Sequence, residues 1–198
     1  MMVDFASTPL GAKPTGFTEG LTGQGEAVRW QVLADASAPG GKVIAETSGD
    51  SADYRFPLCI FEGAIERDVE VSVLFKTVAG EVDQAAGLIV RARDTQNYYV
   101  VRANALETNV RLYKVVDGVR RQIAGHNVEV TSGVWHSLSL RIVADQLDAS
   151  FDGAPVLIAR DQSITTPGMT GLWTKADSLT HLAEFAVKPL PASAQIGG

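Results

Sequence analysis

Arginines and tyrosines recur in this sequence at a spacing that could build a binding face. Arg91, Arg93, Tyr98, Arg102, Asn104, Arg111 and Tyr113 interleave with apolar residues in three successive stretches, Ala86–Arg93, Tyr98–Asn104 and Asn109–Val115. A side-chain period of two puts such a set on one face of neighbouring strands, about 4.8 Å apart, so several could converge on one small ligand. Guanidinium forks match carboxylates bidentately, which suits an anionic ligand such as a uronate or a sulfated sugar. The competing reading pairs these arginines with acids such as Glu70 across strands on an exposed convex face. A second set, Glu66, Asp68 and Glu70, shares one parity. Glycoside hydrolysis with retention needs two carboxylates about 5 Å apart. The outer pair here would lie about 13 Å apart along a strand, and Glu62–Arg67 also reads as a turn. Trp173 leads into a loop carrying Lys175 and Asp177; it either lines a cleft with Lys175 or pins the last hairpin by packing.

The elements that must position these groups are strands. Alternation continues through Val69–Lys76, Leu138–Ile142 and Leu147–Phe151. Asp117-Gly118 and Asp152-Gly153 are hairpin turns, because Asp-Gly readily takes the positive φ that two-residue turns require. Strands are expected over 28–34, 42–47, 57–62, 68–77, 86–93, 98–104, 109–116, 119–124, 134–144, 146–152, 155–160, 169–174 and 181–188. No window has convincing helical periodicity. The expected fold is all-β: a two-sheet antiparallel sandwich, with both inner faces in one core. The Gly-, Thr- and Pro-rich residues 1–27 read as an irregular arm packed on a domain spanning 28–188, and 189–198 as a flexible tail.

Composition narrows the function classes. The chain has 198 residues, 45% of them apolar and 20% charged, with a net charge of −6. That balance argues against a general nucleic-acid binder, and no apolar run is long enough for a membrane helix. Yet seven basic and three acidic residues lie between 86 and 121, a local +4 on an acidic chain. No signal peptide is visible at Met1–Phe5. Cys59, within Pro57–Phe61, reads as a buried core residue; Trp30 and Trp135 read as packing groups. His126, His136 and His181 lack metal-ligand spacing.

The order of short motifs resembles the concanavalin A-like lectin/glucanase superfamily. It runs Trp30-Gln31-Val32, Asp68-Val69-Glu70-Val71, Ala86–Arg91, Asn97-Tyr98-Tyr99, Val134–Leu138, Phe151-Asp152-Gly153 and Gly171-Leu172-Trp173. More narrowly it is similar to bacterial laminin-G-like jelly rolls described as 3-keto-disaccharide hydrolase or family 16 glycosidase-like domains, in which a stretch like Gly171–Ser178 recurs. The resemblance covers about 28–188 and implies a jelly roll whose concave sheet holds carbohydrate in many relatives. It also implies a periplasmic or secreted setting, and a structural calcium near the chain ends, for which Asp4 and Glu184 are the side chains at hand. Family 16 enzymes carry a Glu-x-Asp-x-Glu strand to which Glu66–Glu70 is similar, without the surrounding hallmark residues.

The reading is a carbohydrate-binding jelly roll with an anionic saccharide on the concave sheet, contacted by Arg91, Arg93, Tyr98, Arg102, Asn104, Arg111, Tyr113, Trp173 and Lys175. No catalytic residue, metal ligand or cofactor is assigned. The alternatives are a glycoside hydrolase-like enzyme acting on a disaccharide or polysaccharide, and a structural or protein-interaction module. Oligomeric state stays open.

Overall fold

Fourteen strands make up the computed structural model, which describes residues 1–191. In chain order the first seven are β1 (Phe17–Gly23), β2 (Trp30–Ala34), β3 (Lys42–Glu46), β4 (Arg55–Glu66), β5 (Val69–Ala79), β6 (Ala85–Asp94) and β7 (Asn97–Asn104). The rest are β8 (Asn109–Val116), β9 (Val119–Asn127), β10 (His136–Val143), β11 (Gln146–Phe151), β12 (Ala154–Arg160), β13 (Gly168–Trp173) and β14 (Leu179–Pro189). They form two seven-stranded sheets, ordered β1-β4-β13-β6-β7-β8-β9 and β12-β11-β10-β5-β14-β3-β2. Thirteen strands fall where the alternation places them. The fourteenth, β1, lies in the stretch read as irregular: it pairs with β4 from Phe17↔Phe61 to Gly23↔Arg55. Its glycines and threonines hide the pattern, and only Phe17 and Thr22 are buried. Residues 1–5 also bind β14, through Met1 N to Val187 O at 2.7 Å and Val3 N to Phe185 O at 2.9 Å. Of the expected tail, Pro189 closes β14 and Leu190 N donates to Asp68 O; 192–198 lie outside the described residues. No helix in the described part is long and apolar enough to cross a membrane.

The two sheets meet through their alternating apolar sets. Cys59, Phe61, Leu88, Val90, Tyr99, Val101, Val110 and Leu112 face Val69, Val71, Val73, Phe75, Leu138, Leu140, Ile142 and Phe151. Each such side chain contributes about 1.5–3 kcal/mol when fully buried. Cys59 is fully buried, and burial raises its thiol pKa well above the usual value.

Charged pairs close the ends of the sandwich. Between Val90 and Asp94 the β6–β7 register shifts, and Arg91 has φ +50°. The bulge turns Arg91 off the face that alternation gave it and buries it completely. Its guanidinium donates to Asp68 Oδ1 (3.2 Å), Arg67 O (2.6 Å), Ala144 O (2.7 Å) and Ile164 O (2.9 Å), tying the β4–β5, β10–β11 and β12–β13 connections together. Gly168 is required beside this bulge, since a Cβ there would lie 2.5 Å from Arg91 C. At the same edge Asp161 receives Lys114 Nζ at 2.6 Å and the Tyr99 hydroxyl at 2.7 Å. Burial pushes the Asp161 carboxyl up, but these donors and Ser163 outweigh it and hold the pKa at about 2.

Replacing Arg91 with Ala leaves the Asp68 carboxylate buried and unpaired, and urea denaturation should show a loss of about 3–5 kcal/mol. Asp161 has its folded pKa below the unfolded one, so its stabilisation is complete above about pH 4 and is lost as pH falls through about 2. The stability gap between wild type and Asp161→Asn, measured by urea titration at each pH, should therefore shrink across that window.

Candidate functional site

The second face of the first sheet curls until side chains from its two halves meet. Arg120 on β9 stacks on Phe56 of β4 at 4.4 Å and on Tyr113 of β8 at 4.5 Å. In a flat sheet β4 and β9, five strand intervals apart, would be separated by about 24 Å. Tyr98 Oη on β7 likewise lies 2.8 Å from Thr22 Oγ1 on β1. The segment before β4 straps this hollow: Tyr54 donates to Gly118 O at 3.0 Å and accepts Arg120 N–H at 3.3 Å. Beneath it Phe56, Leu58, Ile60, Ile89, Tyr98, Val100, Tyr113, Val115 and Trp173 form a second core. Phe56 and Trp173 stack at 5.5 Å.

Of the nine residues read as a binding face, this curl therefore withdraws several. Tyr98, Asn104 and Trp173 are fully buried, Arg102 is 3% exposed and Tyr113 9%. Burial raises the Tyr98 phenol to about 12. Arg91 belongs to the end of the sandwich, as described above. Arg93 is exposed but stands apart, in a shallow depression with Ile65, Pro167 and Met169. Arg111 and Lys175 remain partly open, with Arg102 and Tyr113 nearly buried beside them at the margin of the hollow.

Gly171–Ser178 is a clamp that sets this margin. Thr174 Oγ1 donates to Ala85 O, Ser178 Oγ accepts Ala85 N–H, and Asp177 takes the N–H groups of Glu81, Val82 and Asp83. Ala176 is joined to Arg55 by N–H to Arg55 O and by Arg55 Nη1 to Ala176 O. Arg55, fully buried, also reaches Glu46 Oε2 (3.5 Å), Ser48 Oγ (2.9 Å) and Glu26 O (3.2 Å), joining three loops. Lys175 is thereby fixed between Asp53 at 2.6 Å and Asp83 at 2.9 Å. Burial raises the Asp83 carboxyl despite that ammonium.

Arg102 and Arg111 are direct cross-strand partners, an arrangement of like charges that costs stability. Arg102 is held by Asn109 Oδ1, by Tyr113 Oη at 3.2 Å and by Glu107 Oε2 at 2.6 Å. Arg111, half-buried, lies flat over Gly125, where a Cβ would come 2.7 Å from its Cδ, and donates to Asn127 Oδ1 at 2.8 Å. Glu107, Gln122 and Asn127 beside it are exposed. The result is a polar patch in which Glu107, Gln122 and Asn127 meet solvent beside Arg111, over the nearly buried Arg102 and Tyr113. Sequence reading missed Glu107, Asn109 and Asn127, and Asp53 and Asp83 on loops. Glu107 and Asn109 were within reach, because extending the period-two pattern into the β7–β8 turn brings them to this face; Asn127 was not, because a register shift between β8 and β9 at Leu112/Tyr113 reverses the parity beyond it.

The carboxylate trio does not form a catalytic pair. Glu66 ends β4 in one sheet, Asp68 is spent on Arg91 and Ala144 N, and Glu70 stands on the other sheet opposite Arg141, 4.0 Å from Lys188. Glu70 thus pairs with none of the face arginines. Asp4 and Glu184 do line one cleft, but Lys42 Nζ occupies Ala6 O (2.5 Å) and Thr8 O (2.8 Å). Calcium needs six to eight oxygens, and among the described residues no group of three metal-ligating side chains occurs, so this set does not fit calcium. His136 bridges Asp152 (2.7 Å) and Thr131 O (3.1 Å), and His181 meets Asp35 at 2.7 Å.

The sequence matches no protein-family model and no curated protein. In structure it is similar to a carbohydrate-binding module, CBM66, from Bacillus subtilis: 20% identity, 88% of this chain and 96% of that one, TM-score 0.68. A B. subtilis protein of unknown function with a galectin-like fold matches at 13% identity over 85% and 88% of the two chains, TM-score 0.60. The exoplasmic domain of VIP36, in a form bound to calcium and mannose, matches at 11% identity over 93% and 87%, TM-score 0.59. These likenesses establish the fold as the concanavalin A-like jelly roll that the sequence resemblance implied.

Burial of the aromatic platform has a direct optical consequence. Trp30 and Trp173 are 1% and 0% exposed, whereas Trp135 is partly open. Acrylamide should quench one of the three tryptophans, and Trp135→Phe should remove most of the quenchable fluorescence.

Proposed function

We propose that this domain binds saccharides at the open margin of its curled sheet, through Arg102, Arg111, Lys175 and Tyr113, and that the preferred ligand carries a carboxylate. The observation that carries the reading is the juxtaposition of Arg102 and Arg111 in one register pair, with Glu107 the one carboxylate within ion-pairing distance of either among the described residues. A uronate carboxylate would bridge the two guanidiniums, and the exposed amides of Gln122 and Asn127 beside them would exchange hydrogen bonds with ring hydroxyls. The fold shared with a carbohydrate-binding module supports the class of ligand. The split carboxylate trio supports binding rather than hydrolysis. A purely structural or interaction module is favoured by one feature, the filling of the hollow by the chain's own aromatic groups.

A glycan array run with and without chelator tests the class of ligand. Arg111 is the informative variant, because Arg102 is buried and its removal would disturb the fold. Arg111→Ala should weaken retention on an acidic polysaccharide at least tenfold, about 1.4 kcal/mol, with an unchanged melting temperature. Retention equal to wild type would exclude the site.

A further inference from the structure

We infer that Glu107 is a built-in stand-in for the ligand's carboxylate, displaced on binding, and that it sets the charge selectivity of the site. The inference rests on the saccharide reading and adds to it a residue that selects among ligands. Arg102 is 3% exposed, and a guanidinium so buried must keep a counter-charge. Its one ion pair is with Glu107 Oε2. The same oxygen accepts Asn109 Nδ2–H at 3.3 Å, so a buried fork and amide converge on one carboxylate position. That position is filled from outside: the Glu107 side chain is 48% exposed, on the turn between β7 and β8.

The turn is built to let the side chain leave alone. Asn104 Oδ1 accepts the N–H groups of Leu106 (2.9 Å) and Glu107 (3.0 Å), and Asn109 Nδ2 donates to Glu107 O at 3.0 Å. The backbone therefore stays in place when the carboxylate swings into water. A carboxylate ligand replaces it like for like, so Arg102 never stands unpaired, and Arg111 alongside adds attraction that Glu107 does not use. A neutral sugar offers no such replacement and must bind with Glu107 in place. The site thus discriminates by exchange of anions.

Glu107→Gln separates the alternatives. Thermal shift with glucuronate and galacturonate, against sodium chloride of equal ionic strength, should show a concentration-dependent rise in melting temperature that is larger for the variant than for wild type. On acidic oligosaccharides found by the array, the variant should bind about tenfold tighter, and on neutral ones it should be unchanged. Equal responses of both proteins to uronates, or weaker acidic-glycan binding by the variant, would make Glu107 a plain structural ion pair. If the array is blank for both proteins while Glu107→Gln gains as much from acetate as from the uronates, the saccharide reading fails and the carboxylate pocket stands. If wild type binds glycans and the variant binds them identically, the displacement fails and the saccharide reading stands.

Discussion

The structure depends on one sheet being buried on both faces. The inner face of β1-β4-β13-β6-β7-β8-β9 meets the second sheet, and the outer face curls until Arg120 lies between Phe56 and Tyr113. That curl converts a face of arginines and tyrosines into a second core, and confines the accessible polar groups to its margin. Parallel sheets are commonly covered on both sides, whereas antiparallel ones often leave one face wet. Here an antiparallel sheet covers itself.

Arg120, at the centre of the curl, rests on aromatic rings, and four cations around the sheet are met by acids instead. Arg91 takes Asp68, Arg102 takes Glu107, Lys114 takes Asp161, and Lys175 takes Asp53 and Asp83. Of the seven basic residues between 86 and 121, Arg91 and Lys114 pair with acids from other parts of the chain, and Arg102 pairs with Glu107 inside the same stretch. Arg55 plays the same part for the loops, holding the segments around Glu26, Ser48 and Ala176 at one point. The margin at which Lys175 and Arg102 sit is rigid for this reason. Among these acids Glu107 and Asp53 are the ones that face water, with side chains 48% and 80% exposed.

Legibility differed by element. β5 to β8 and β10 to β11 announce themselves because one side of each strand is a row of Val, Leu, Ile or Phe. β1 does not, since Gly20 and Gly23 interrupt it and Thr22 is its buried outer-face group. Parity placed Tyr98, Arg102, Arg111 and Tyr113 on one face correctly, but it failed at Arg91, where a bulge at positive φ adds a residue that no alternation rule anticipates. The triplet Glu66, Asp68, Glu70 shows the opposite failure: regular spacing across a turn that passes from one sheet to the other.

The sequence by itself determined every strand but β1, the parity of the regular stretches, the tight Asp-Gly turns and hence a two-sheet antiparallel sandwich, because these follow from side-chain periodicity and local backbone preference. Only the tertiary structure decided which polar residues meet solvent. Curvature of the sheet, the bulge at Arg91 and the approach of Asp53, Asp83 and Asp161 from distant loops are set by packing between segments far apart in the chain, and local pattern carries no record of them.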